Sequence, residues 1–232
     1  MSECLKAEGL TKTFGAITAL DGVDIRLQAG RIVGLLGPNG SGKTTLIKLI
    51  NGLITPTAGT ITVCGHAPGV ESKRVVAYLP DQVYLNSWMT VRRLLDYFCD
   101  FYPDFRREAA CEMLARLGID ESRALKTLSK GNKEKVCLIL TMARKASLYV
   151  LDEPIAGVDP ATRDYVISTI LSNYDPSSTV LISTHLIADI ESVLDEVIFI
   201  DRGRIVLQAE VDALRAERGK SVDEVFREVF RW

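Results

Sequence analysis

Residues Gly37, Pro38, Asn39, Gly40, Ser41, Gly42, Lys43 and Thr44 follow the pattern G-x-x-x-x-G-K-[ST]. Glycines let a chain turn its N–H groups inward around phosphate oxygens, and a helix starting at the lysine adds its positive end. Lys43 then reaches the β- and γ-phosphates and Thr44 meets Mg2+, with Thr45 beside it in the same turn. A second group of residues complements this one. Leu148–Leu151 is an apolar run that ends in Asp152 and Glu153. A strand of a parallel sheet delivers such an Asp to the carboxyl edge, where these sheets bind ligands. Asp152 suits Mg2+, and Glu153, turned differently, can take a proton from an attacking water. An Asp-Glu pair after a strand is often only a solvated loop start. Downstream of a phosphate loop it points to nucleotide chemistry.

These groups need particular elements to hold them. The run Arg31–Leu36 reads as a strand feeding the loop, and a helix follows with Leu46, Ile47, Leu49 and Ile50 as its apolar positions. That is the strand–loop–helix context the motif requires. Cys4–Leu10, Ala19–Leu27, Ile61–Cys64 and Val75–Leu79 read as further strands. In the last third the strands Leu148–Leu151, Thr179–Ser183 and Val197–Ile200 alternate with helices near Pro160–Tyr174 and Leu186–Leu194. Such alternation implies parallel βαβ units and an α/β fold. Between them, Val91, Leu94, Leu95 and Phe98 recur at helical spacing, and Phe105–Leu117 continues as a helix with Gly118 at its end. A mainly helical subdomain is therefore expected at 84–145. The tail reads as a short helix over Ser221–Phe230, with Ser221 and Glu224 as a capping box.

Composition narrows the class. The 232 residues carry 28 basic and 30 acidic side chains, a formal net charge of -2, and 47% hydrophobic residues. Disorder is excluded by that apolar content, and the balance argues against nucleic acid as a partner. The five cysteines contain no C-x-x-C spacing and are expected as scattered small apolar residues in a reducing compartment. The amino terminus has no secretory h-region, and no apolar stretch is long enough for a membrane helix. A soluble, cytoplasmic protein is expected, with any membrane role supplied by a partner.

In sum these residues resemble the ATP-binding subunits of ABC (ATP-binding cassette) transporters. Ser129, Lys130, Gly131 and Asn132, after Leu128, are similar to that family's signature, usually Leu-Ser-Gly-Gly-Gln. Gly157, Val158 and Asp159 resemble its D-loop, and Ser183, Thr184 and His185 resemble the segment bearing its switch histidine. Phe14 stands where an aromatic stacks on adenine, although it could also be core. The resemblance covers essentially the whole chain and implies a P-loop NTPase of the ABC-ATPase fold. That fold has an N-terminal antiparallel β subdomain, a RecA-like parallel core (1–83 and 146–208), an inserted helical subdomain (84–145) and a short helical tail (209–232). It further implies hydrolysis of MgATP with Glu153 as base, aided by His185 and Lys43. Two ATPase subunits, identical or different, pair so that each signature meets the ATP of the other. The implied partners are integral membrane permease subunits, which would hold the protein at the cytoplasmic face of the membrane. The short tail helix, with no appended regulatory domain, favours export.

The chain departs from the family pattern in two places. Lys130 stands for a glycine and Asn132 for a glutamine; a lysine tolerates positive φ poorly, so either the position does not need it or the loop is altered. Asp81 occupies the usual glutamine position after Leu79 and Pro80, and Gln82 follows, so Gln82 or Asp81 could be the third ligand toward Mg2+ with Thr44 and Asp152. Ser129 could serve simply as a helix N-cap. Trp88, Tyr97, Phe98, Phe101, Tyr102 and Phe105 cluster within the helical subdomain, either as internal packing or as the groove that accepts a cytoplasmic helix of a permease. His66 reads as a surface loop residue. Competing classes are a non-transport ABC ATPase of translation or DNA repair, a small-molecule kinase, and an inactive nucleotide-binding regulator. The first would carry paired cassettes or long coiled coils. A kinase leaves Ser129–Asn132, Asp159 and His185 unexplained, and Glu153 and His185 argue against an inactive protein.

Overall fold

Alternating apolar residues along the first 28 positions fold as two long antiparallel strands, β1 (Glu3–Phe14) and β2 (Ile17–Gln28), in a computed structural model that describes residues 3–156 and 159–230. Leu5, Ala7 and Leu10 of β1, and Val23, Ile25 and Leu27 of β2, are buried. A third strand, β4 (Ala58–Val63), pairs antiparallel with the free edge of β1, giving the order β2-β1-β4. The buried face of this sheet shares a core with Leu46, Ile47, Leu49 and Ile50 of helix α1 (Lys43–Ile50), the helix that leaves the phosphate loop.

The second sheet has the order β5-β6-β7-β3-β8-β9 among the described residues. Its strands are β3 (Ile32–Leu36), β5 (Val76–Leu79), β6 (Leu148–Asp152), β7 (Thr179–Thr184), β8 (Glu196–Asp201) and β9 (Arg204–Glu210). All pairings are parallel except β8 with β9. Every residue of β3, β6 and β7 is buried, which is why these strands read as unbroken apolar runs rather than alternating ones. The fold is thus α/β with a separate antiparallel sheet, as expected.

Helices α3 (Val91–Phe101), α4 (Arg107–Arg116) and α5 (Lys130–Met142) have their own apolar cluster, including Leu94, Phe98, Met113, Leu114, Val136 and Leu140. Helix α4 ends in a Schellman turn: Gly118, at φ 62, donates to Ala115 and Ile119 donates to Leu114. Arg144, just past α5, ties this cluster to the sheet. Its guanidinium is buried, donates to the carbonyls of Val76 and Arg74, pairs with Asp104 and lies 4.0 Å over the Tyr102 ring. A buried arginine with so many partners orients the end of α5 firmly, because freeing it would strand a charge.

Several elements differ from the sequence reading. Residues 70–75 form helix α2 (Val70–Val75), so Val75 belongs to a helix and the strand starts at Val76. Cys64 lies beyond β4 in a turn, at φ 49. Helix α6 runs Pro160–Asn173, but α7 is only Ile187–Ile190, shorter than the expected Leu186–Leu194. Strand β9 occupies residues for which the sequence reading names no element, and the expected helical tail at 209–232 is two helices, α8 (Val211–Arg218) and α9 (Val222–Val229). As an edge strand β9 alternates exposed and half-buried positions, a faint pattern beside the buried runs. Helix α9 (Val222–Val229) carries the expected capping box, and Phe226 and Phe230 pack on Phe199 of β8 at 5.4 and 6.0 Å. No helix among the described residues is long and apolar enough to cross a membrane.

Candidate nucleotide site

Strand β3 runs straight into the glycine loop, and two of its glycines are required by close contact. A Cβ on Gly37 would lie 2.3 Å from the Ile200 carbonyl oxygen, and one on Gly42, at φ 112, would lie 2.8 Å from that of Ala19. The loop is wedged against its neighbours so that α1 can begin at Lys43. Gly42 gives α1 no side-chain cap, which leaves its first N–H groups available to an anion. Lys43 folds back over the loop, donating to the carbonyls of Gly37 (2.7 Å) and Pro38 (3.2 Å). The residue is 6% exposed; burial lowers its pKa, opposed by the charges of Glu153 and Asp152.

Asp152 ends β6 directly opposite Ser183 on β7. Ser183 Oγ donates to Asp152 Oδ1 at 2.5 Å, while Asp152 Oδ2 and Ser41 Oγ are buried with no hydrogen-bond partner among the described residues. Burial pushes the Asp152 carboxyl up, and the nearby charges of Asp81 and Glu153 add to this. A buried carboxylate oxygen and a hydroxyl left unpaired at a phosphate loop fit a hard divalent cation such as Mg2+.

Glu153 is one of three described non-glycine residues with positive φ, at 50°. Its N–H donates to both the carbonyl and the hydroxyl of Ser183, at 3.0 and 3.1 Å, which holds this unfavourable turn. The side chain leaves the strand direction as a result. Oε1 lies 3.9 Å from Lys43 Nζ, and Oε2 lies 3.0 Å from His185 Nδ1. Asn39, Asp81, Gln82, Lys130, Glu153 and His185 line one cleft of about 520 Å³. Both Asp81 and Gln82 also reach the smaller recess that contains Asp152.

The other expected residues lie as follows. Phe14 ends β1 and is 49% exposed, which rules out the core role, with Lys12 Nζ 5.0 Å over its ring. Ser129 is the N-cap of α5, its Oγ accepting from Asn132 N–H at 3.3 Å. Lys130 takes the first helical position, so it does not need positive φ, and its exposed ammonium lies 3.8 Å from Glu134. Gly131 has open space where a Cβ would stand. Asp159 caps α6 through Thr162 N–H and Oγ1 at 3.0 and 2.7 Å, which holds its carboxyl below the usual range. Gly157 and Val158 fall outside the described residues. His66 is exposed and bridges Val63 across the Cys64–Gly65 turn.

The aromatic cluster divides. Phe98 packs inward with Tyr102 and Phe105 at 5.4 and 5.5 Å, whereas Trp88, Tyr97 and Phe101 are exposed. A groove of about 470 Å³ runs from Phe98, Tyr102 and Arg144 to Leu53, Lys48 and Tyr84. The residue that sequence reasoning underused is Ser183. The sequence marks it only as part of the Ser183–His185 segment, yet its hydroxyl donates to Asp152 and accepts from the Glu153 N–H, a role visible only once β6 and β7 are paired in register.

Comparison with known proteins agrees with this geometry. The ABC transporter family profile matches residues 20–156. The chain is 32% identical over 221 residues to the ABC transporter ATP-binding protein YhaQ of Bacillus subtilis, covering 93% of this chain and 74% of that protein. It is 31% identical to the linearmycin resistance ATP-binding protein LnrL of the same species, over 87% and 68% of the two chains. It is also 31% identical to the daunorubicin resistance ATP-binding protein DrrA3 of Streptomyces coeruleorubidus, over 97% and 74%. The solved structure of an ATP-binding subunit of an ABC transporter superposes with a TM-score of 0.90 at 28% identity, over 98% of this chain and 100% of that one. With the phosphate loop, the paired carboxylates and this family match together, the chain belongs to the ABC transporter family as an ATP-binding, ATP-hydrolysing subunit.

Proposed function

We propose that this subunit hydrolyses MgATP between two ATPase subunits to drive export through integral membrane permease subunits. The observation that carries the reading is the placement of Glu153, with one carboxylate oxygen 3.0 Å from His185 Nδ1 and the other 3.9 Å from Lys43 Nζ. A base held between a phosphate-binding lysine and an imidazole stands where water must attack a γ-phosphate. The amides of the Gly37–Thr45 loop cradle the phosphates, Lys43 carries their charge, and the exposed Phe14 ring stacks on the base. Thr44, Asp152 and Gln82, with Asp81 beside it, would hold Mg2+, which when bound neutralises charge on the phosphate oxygens. Glu153 takes the proton of the attacking water, and His185 orients Glu153 and contacts the γ-phosphate.

The signature acts on the opposing subunit's ATP. Ser129, Lys130, Gly131 and Asn132 begin α5, a second helix N-terminus separate from α1, and the chain's own loop already supplies amides to its phosphates. Asp159 stands at the start of α6, on the segment that faces the partner subunit. The groove beside Tyr84 and Tyr102 receives a permease helix, which places the protein on the cytoplasmic face of the membrane. Export is favoured because relatives carry names of that kind: linearmycin resistance, daunorubicin resistance and, at 30% identity, the Nod factor export protein of Ralstonia nicotianae. The test is to recover the tagged protein from membranes in mild detergent. Co-purification of a polytopic membrane protein, with ATP turnover in the complex, is expected. A soluble protein that turns over ATP but never associates with a membrane subunit overturns the transport reading.

A further inference from the structure

Two of the five cysteines, far apart in sequence, meet in the fold. Cys4 on β1 and Cys64 just past β4 have their sulfurs 3.8 Å apart, and their backbones are joined by the Cys64 N–H donating to the Cys4 carbonyl at 2.7 Å. Cys4 is 3% exposed and also faces the Ser147 carbonyl, whereas Cys64 is half-buried. Cysteines opposite one another on paired antiparallel chains lie within the Cα separation a disulfide spans. The remaining three lack this arrangement: Cys99 is exposed beside Arg107, Cys111 is half-buried and Cys137 is buried in α5.

We propose that Cys4 and Cys64 form a reversible redox pair, oxidised by hydroperoxides to a disulfide that staples β1 to β4. The two thiols have complementary roles. The contact with Cys4 lowers the Cys64 thiol, whereas the same contact and burial push Cys4 up. Cys64, the half-buried thiol of the two, is the nucleophile, and the buried Cys4 is the resolving thiol. The Cys64 thiolate attacks one oxygen of the hydroperoxide; the S–O bond forms, the O–O bond breaks, and the other oxygen leaves as alkoxide that takes a proton to become an alcohol, or water when the oxidant is hydrogen peroxide. Cys4 then attacks the sulfur of the Cys64 sulfenic acid. The S–S bond forms, the S–O bond breaks, and the proton of Cys4 leaves with the hydroxide as water. In net terms two thiols and one hydroperoxide give one disulfide, one alcohol and one water.

The staple encloses the phosphate-loop segment of the nucleotide site, since most of β1 and all of β2, β3, the Gly37–Thr45 loop and α1 lie between the two cysteines. It sits at the opposite end of β6 from the chemistry: Cys4 faces Ser147, next to the first residue of β6, while Asp152 is the last. Oxidation should therefore stabilise this part of the fold without altering nucleotide binding.

The experiment treats the purified, fully reduced protein with equimolar hydrogen peroxide. Thiol titration under denaturing conditions should fall by two of the five, and proteolysis without reductant should yield a linked Cys4–Cys64 peptide that dithiothreitol releases. The melting temperature should rise by about 5 °C in the wild type and stay fixed in Cys64→Ser, with MgATP affinity the same before and after oxidation. Cys4→Ser should leave Cys64 as a trappable sulfenic acid, which separates failure of the pair from failure of the fold. Oxidation confined to Cys99 or Cys111, or passage of wild-type Cys64 to sulfinic acid with Cys4 still reduced, overturns the proposal.

Discussion

Glu153 Oε2 and His185 Nδ1 lie 3.0 Å apart, joined across the β6–β7 boundary by side chains from two different strand ends. The contact is made possible by the left-handed turn at Glu153, which Ser183 holds from below. If this carboxylate is the base as proposed, turnover should be sensitive to its charge first, to its holder second and to the lysine that shares it third.

Glu153→Gln should slow ATP turnover by about 10²–10⁴-fold while leaving nucleotide affinity intact. Turnover and fluorescent-nucleotide binding measured on the same preparation test this; a variant that keeps more than about a tenth of the activity would assign the base elsewhere.

Lys43→Ala should abolish turnover and weaken nucleotide binding. Its hydrogen bonds are to loop carbonyls rather than to the core, and its charge serves the phosphates. The melting temperature without nucleotide should change little, and full turnover would sink the site assignment.

Ser183→Ala removes the hydroxyl that donates to Asp152 Oδ1 and supports the Glu153 turn. The prediction is a raised Mg2+ requirement together with lower maximal turnover, restored in large part by Ser183→Thr. A variant with an unchanged Mg2+ dependence would show that Asp152 needs no such holder.

Stability without nucleotide should depend on pH through Asp152. Burial raises its carboxyl above the ordinary aspartate value, so the stability linked to it is fully present below that ordinary value and declines as pH rises through the raised one. Stabilisation by Mg2+ with a non-hydrolysable nucleotide runs the other way, because the ionised form meets the cation. Thermal melts across that range, with Asp152→Asn as the reference that loses both trends, would check the sign.

Ser129→Arg, placed in the Glu153→Gln background, should abolish an ATP-dependent shift from monomer to dimer in size-exclusion chromatography and leave nucleotide binding by the monomer unchanged. Loss of monomer binding would put the signature contact within one chain.

Local chemistry made much of this protein legible from its residues alone. The glycine loop could be recognised because backbone closure around phosphate requires glycine at set spacings, and Gly37 and Gly42 indeed have no room for a Cβ. The α/β class followed from strands alternating with helices, whose runs are unbroken because the sheet is buried on both faces. The capping box of Ser221 and Glu224 was equally local. Strand β9 escaped because an edge strand buries too little to leave a strong pattern. What depended on tertiary structure is whatever joins distant segments: the pairing of β6 with β7 that sets Ser183 against Asp152, and the positive φ that swings Glu153 toward His185 and Lys43. The meeting of Cys4 with Cys64 is of the same kind. Those relationships are fixed by strand register and by the packing of two sheets around α1, and no spacing along a single segment encodes them.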